Sequence, residues 1–246
     1  MFALFRRRPR WNVSARVRSR SEMVHATTAS LNGLDRLVPE TPVLTDRYVR
    51  IQLALFELLS AGLPEVEDPA ALSEYSALAE HFEGRVTRLR EDAEPGESGD
   101  DGQAFPAQLR PTAWQQRVLT GVLVSGVVDD AVRLLASARH GLRRARVESE
   151  AAHPVTGVGT ELLHDRIATD QELRDLLSMW GRRLVGDSML LARGLLNIPE
   201  PVQAALRQSG ETPEAETLEQ LSVIETFRSE LLAAHTRRME ALGLAS

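Results

Sequence analysis

Apolar residues recur at spacings of three and four along most of this chain, the period of helices with one buried face. Val24, Leu31, Leu34 and Leu37 predict a first helix over Ser21 to Leu37. The segment Val38 to Pro42 breaks it, since proline is excluded from a helix interior. Thr45 then fits an N-cap, and Tyr48, Ile51, Leu55, Leu58 and Leu59 form an apolar stripe to about Gly62. Pro69 suits the first turn of a helix running through Leu72, Leu78, Phe82 and Leu89. Thr112 caps a further helix marked by Trp114, Val118, Val122, Val127, Leu134 and Leu135. Gly121 and Gly126 lie inside it, at a cost of about 1 kcal/mol each unless a close neighbour needs the space. Arg143 to Ala152 is helical in pattern, and Pro154, Gly157 and Gly159 read as an interrupting turn. Thr160 to Leu196 is one long periodic stretch. The last helix runs from Glu214 to Leu242, with Gly243 where a C-cap belongs.

No strand-like alternation competes with these helices, so the fold class is all-α. Three regions follow: an Arg-rich arm over 1–20, expected to be disordered; a helical bundle over 21–208, interrupted by an acidic linker at 91–111; and a C-terminal linker and helix over 209–246. The acidic linker has almost no apolar residues and is expected to be exposed.

Composition narrows the chemistry. Aromatics are only 4% of the 246 residues, and an Ala, Leu and Val interior favours close helix packing over strands. The absence of cysteine excludes disulfides, thiol catalysis and Cys-held metal sites. All 29 basic residues are Arg, which excludes Schiff-base lysines and the Walker lysine. No apolar run reaches the roughly 18 residues that cross a bilayer, and a cytoplasmic location is the default expectation. The net charge of −6 hides an asymmetry: residues 1–20 hold seven Arg and no acid. Arg6, Arg7, Arg8 and Arg10 are the candidate nucleic-acid contacts of that arm, against the plainer reading of a tail.

Candidate chemistry is confined to carboxylates and histidines on helices. No nucleophile elbow, P-loop or dinucleotide fingerprint is present. Glu150 and His153 stand three apart, the spacing that puts two ligands on one helix face. Pro154 directly after the His argues for a helix end there, and the competing reading is a solvated face. Glu57 stands between Phe56 and Leu58; facing inward it needs a partner, a metal or a proton, and facing outward it is an ordinary surface Glu. Asp129 and Asp130 are further acids on an apolar helix. Glu80 and His81 diverge on their helix and read as surface or structural residues, and His235 reads as exposed on the terminal helix.

Four stretches together resemble a known family: Leu31–Leu37 with Thr41–Arg47, Pro111–Gln116 through Ser125–Asp130, Trp180–Asp187, and His235–Leu244. They are similar to actinobacterial ferritin-like proteins related to tRNA 2-methylthio-N6-isopentenyladenosine hydroxylase. The resemblance implies a ferritin-like four-helix bundle with additional C-terminal helices, two irons, and oxygen-dependent hydroxylation. Carried over by position, it implies Glu57, Asp130, Glu150 and His153 as surviving metal ligands, while other ligand positions fall on or near Ser30, Ser60 and Ser125. Serine does not replace carboxylate charge, so the dimetal site is expected to be degenerate. No cofactor is then expected, or iron if the site is retained. The leading expectation is a non-catalytic binding or scaffold protein. A diiron hydroxylase and a helical regulator or nucleic-acid-binding protein using the arm are the alternatives. Expected partners are protein or RNA, with a homodimer left open.

Overall fold

A computed structural model describes residues 31–91, 110–139, 146–152, 156–207 and 214–245. Within them the chain is helical and forms no strand. The helices are α1 (Thr41–Ser60), α2 (Pro69–Glu91), α3 (Trp114–Ala138), α4 (Arg146–Ala152), α5 (Thr156–Thr169), α6 (Gln171–Gly194), α7 (Glu200–Arg207) and α8 (Ala215–Ala241). The Arg-rich arm and nearly all of the acidic linker lie outside the described residues. No helix among those described is long and apolar enough to cross a membrane.

Helix α3 is the axis of the molecule. Every residue from Val118 to Asp129 is buried, so the helix is covered on all sides. Helices α1, α4, α5, α6 and α8 all pack on it. Its two glycines differ in the space around them. A Cβ on Gly121 would sit 3.4 Å from Leu59 Cδ1 on α1. A Cβ on Gly126 would overlap Arg238 of α8, whose Nη2 donates to the Gly126 carbonyl at 2.8 Å. The expected cost is therefore offset at Gly126, where Arg238 needs the space, whereas a Cβ at Gly121 would make only ordinary contact with Leu59. Thr120 Oγ1 accepts a 2.9 Å bond from Trp180 Nε1, which satisfies the polar end of a buried indole from α6.

Several element boundaries differ from the sequence pattern. Of the expected first helix, the described part holds only a turn and a 3-10 segment, Leu34–Leu37, entered through Gly33 at φ 97°. Helix α1 starts at Thr41 rather than after Thr45, because Pro42 lies in the first turn, where its missing N–H is not needed. Thr112 is not the N-cap of α3. Ala113 holds that position, and Gln116 Oε1 reaches back to accept from the Thr112 amide at 2.7 Å. The long stretch from Thr160 to Leu196 is two helices. Asp170 separates them by capping α6, its Oδ1 accepting from the Leu173 amide at 2.9 Å. Gly157 and Gly159 are not a turn but lie in the first turn of α5, where Gly159 sits hard against Val122. At the far end the expected C-cap is present. Gly243 has φ 70°, and the Leu244 amide donates to the Met239 carbonyl at 2.9 Å.

Candidate functional site

The buried faces of α1, α2 and α3 are largely apolar, and their buried charged residues meet near α4. There α2 turns Arg85 inward, on the same face as Leu78, Phe82 and Leu89. Its side chain is fully buried, as is that of Asp129 on α3. Arg85 Nη1 lies 3.1 Å from Asp129 Oδ1 and 3.2 Å from Oδ2. The same nitrogen is 3.2 Å from Ser125 Oγ and 3.4 Å from Gln52 Oε1. Arg85 Nη2 donates to the Glu150 carbonyl of α4 at 3.0 Å. Four helices thus converge on one guanidinium.

Asp129 is satisfied on both oxygens. Tyr48 of α1 donates its hydroxyl to Oδ1 at 2.8 Å, and Ser125, one turn before, lies 3.4 Å from Oδ2. Burial pushes the Asp129 carboxyl up to about 6, and the opposing pull of Arg85 and Tyr48 does not restore its ordinary value. Tyr48 is raised well above the usual phenol range, first by burial and then by the Asp129 charge. Glu150 forms a two-pronged pair with Arg88, at 2.7 and 2.9 Å, and its carboxylate also lies 3.9 Å from Arg85 Nε. His81 sits at the edge of this cluster with a pKa lowered by burial and then by Arg85 and Arg88.

Among the described residues, the sequence-derived ligands Glu57, Asp130 and Glu150 are not brought together. Glu57 is exposed, because it lies two residues from Leu55 and Leu59 and so on the far side of α1. Asp130 turns away from the interior and pairs with Arg238 of α8 and with Arg133. The inward acid of α3 is its neighbour Asp129, one residue and about 100° around the helix. Glu150 does face the cluster, but both of its oxygens are held by Arg88. His153, Ser30 and Arg6, Arg7, Arg8 and Arg10 lie outside the described residues. Ser60 is half-buried at the end of α1, and Ser125 joins the interior cluster.

The described residues do not fit the iron that the resemblance implies. The centre of the donor set is itself a cation, and Asp129 spends its lone pairs on Arg85, Tyr48 and Ser125. Among the described residues no three His, Asp or Glu side chains are grouped as metal ligands would be.

His235 also departs from expectation. It is 2% exposed, under α6, and neither ring nitrogen makes a hydrogen bond of ordinary geometry. Burial lowers its pKa, and the nearby Gly181 backbone only partly opposes this. Sequence reasoning missed Arg85, Gln52 and Tyr48 as polar members of the interior. A signal existed: Arg85 falls three residues after Phe82, and Gln52 four after Tyr48, on otherwise apolar faces. No protein-family model matches this sequence, and no curated protein matches it either, so the chemistry of the interior rests on the chain's own residues.

Proposed function

We propose that this chain is a ferritin-like helical protein that has exchanged its dimetal centre for an internal cation and acts as a non-catalytic binding or scaffold protein. The observation that carries this reading is the fully buried Arg85–Asp129 pair, 3.1 Å apart. In a dimetal bundle, inward carboxylates from several helices gain their counter-charge from metal ions. Here α1, α2, α3 and α4 each send a polar group to a common point, and the positive charge there is a guanidinium. A guanidinium is permanently charged and carries its donors in a fixed plane. It links four helices without a labile ion, as a scaffold requires, and it leaves no open coordination position for a substrate.

Metal analysis tests this. The full chain is loaded anaerobically with ferrous iron, exposed to air, desalted and assayed for iron and for near-ultraviolet absorbance. Substoichiometric iron with no oxo-bridged absorbance is expected. Two irons per chain with that absorbance would overturn the reading.

A further inference from the structure

One face of α6 carries Leu176, Met179, Arg183, Gly186, Leu190 and Arg193, spaced alternately by three and four residues. This is the seam spacing of a coiled coil. The buried residues of the same helix, including Leu177, Trp180, Leu184 and Leu191, point the other way. Its large apolar members are open within the described protein: Leu176, Met179 and Leu190 are 40%, 61% and 55% exposed. Such large apolar exposure in one row marks an interaction surface rather than scattered surface leucines.

The spacing is complementary to itself. When two copies of α6 run antiparallel, the layers pair Leu176 with Arg193, Met179 with Leu190, and Arg183 with Gly186, and the two-fold repeats all three. Every pair straddles one midpoint, between Leu184 and Val185. Each layer is chemically sensible. Met179 meets Leu190 as apolar on apolar, and the stem of Arg193 covers Leu176. The large Arg183 side chain, held over the Trp180 ring at 5.3 Å, meets the one seam residue without a side chain. A Cβ at Gly186 would find nothing within 4 Å, so room exists there. Charge agrees as well: the acids Glu172 and Asp175 at one end of α6 come beside Arg193 of the second copy. Next to the seam, a cleft of about 430 Å³ between α6 and α8 is lined by Val185, Met189, Leu190, Phe227 and Leu231 and extends the apolar surface.

We infer that α6 is the interface of a two-fold homodimer in which Met179 of one copy packs against Leu190 of the other. The test uses the full chain, which has no cysteine of its own. Sedimentation equilibrium is expected to give twice the chain mass, and Met179→Ala/Leu190→Ala to raise the dissociation constant at least about tenfold, because it removes the apolar layer contributed by both copies. A Met179→Cys/Leu190→Cys variant is expected to form a disulfide-linked dimer on mild oxidation. The two positions are about 16 Å apart along one helix, too far to join within a chain. Leu176→Cys/Leu190→Cys, which the register does not bring together, is expected to stay unlinked. A monomeric parent chain, a dimer indifferent to Met179→Ala/Leu190→Ala, or cross-linking in the second variant but not the first would each overturn the inference. So would a monomer whose cleft carries a co-purifying apolar molecule by native mass spectrometry, which would assign the surface to a ligand.

Discussion

Replacing Arg85 by Met keeps the aliphatic stem and removes the charge. Asp129 is then left fully buried with two hydroxyl donors, Tyr48 and Ser125, and no cation. Breaking a buried pair from one side costs about 3–5 kcal/mol. For a chain of this size each kcal/mol moves Tm by roughly 2–4 °C, so the drop is about 6–20 °C. Asp129 has one escape, which is to take a proton; its pKa, already about 6, rises further without Arg85. Asp129→Leu offers no such escape, since arginine does not lose its charge in a protein. Glu150, 3.9 Å from Arg85 Nε, offsets part of that loss. Asp129→Leu is therefore expected to cost at least as much as Arg85→Met. The double variant removes both charges, and apolar replacement of a whole buried pair is often neutral or stabilising. It is expected within about 1–2 kcal/mol of the parent, far from the sum of the single losses. Urea unfolding followed by far-ultraviolet circular dichroism at pH 7 measures the parent and all three variants. If the double variant loses the sum of the singles, the two side chains are not a coupled unit and the energetic account of the interior fails.

Two further outcomes are open to the same assay. Asp129 has a folded pKa of about 6 against an ordinary 3.8, so the native state takes up its proton first as pH falls. Its contribution to stability is fully present below about pH 4 and is lost as pH rises through about 6, a swing of about 3 kcal/mol. The stability of the parent relative to Asp129→Asn should accordingly fall between pH 4 and 7; a flat or rising difference would contradict the burial argument. The second outcome contrasts two glycines in the first turn of α5. Gly159→Ala drives a methyl into Val122 and should cost about 1–3 kcal/mol, whereas Gly157→Ala meets nothing within 4 Å and should gain about 0.5–1 kcal/mol. Equal effects at the two positions would show that local space does not govern them.

The helical class and most helix positions are legible in the chain's local pattern. Period, proline and capping chemistry act over a few residues and are written locally: Pro69 opens α2, and Gly243 closes α8 with the hydrogen bonds of a left-handed cap. The same pattern marks α3 as apolar over most of its length, which is why that helix lies at the centre. Where the pattern misled, a single side chain set the outcome, as when Asp170 capped α6 and split one periodic stretch into two helices. Which polar groups face inward, by contrast, emerges only when the helices are packed together. Asp129 and Asp130 are adjacent, equally acidic and on one helix, yet one meets Arg85 and the other Arg238. That choice depends on the rotation of α3 about its axis against α1, α2 and α8. A turn of about 100° separates neighbours on a helix. No local signal fixes such an angle, because it is set by the sum of all the packing contacts that α3 makes.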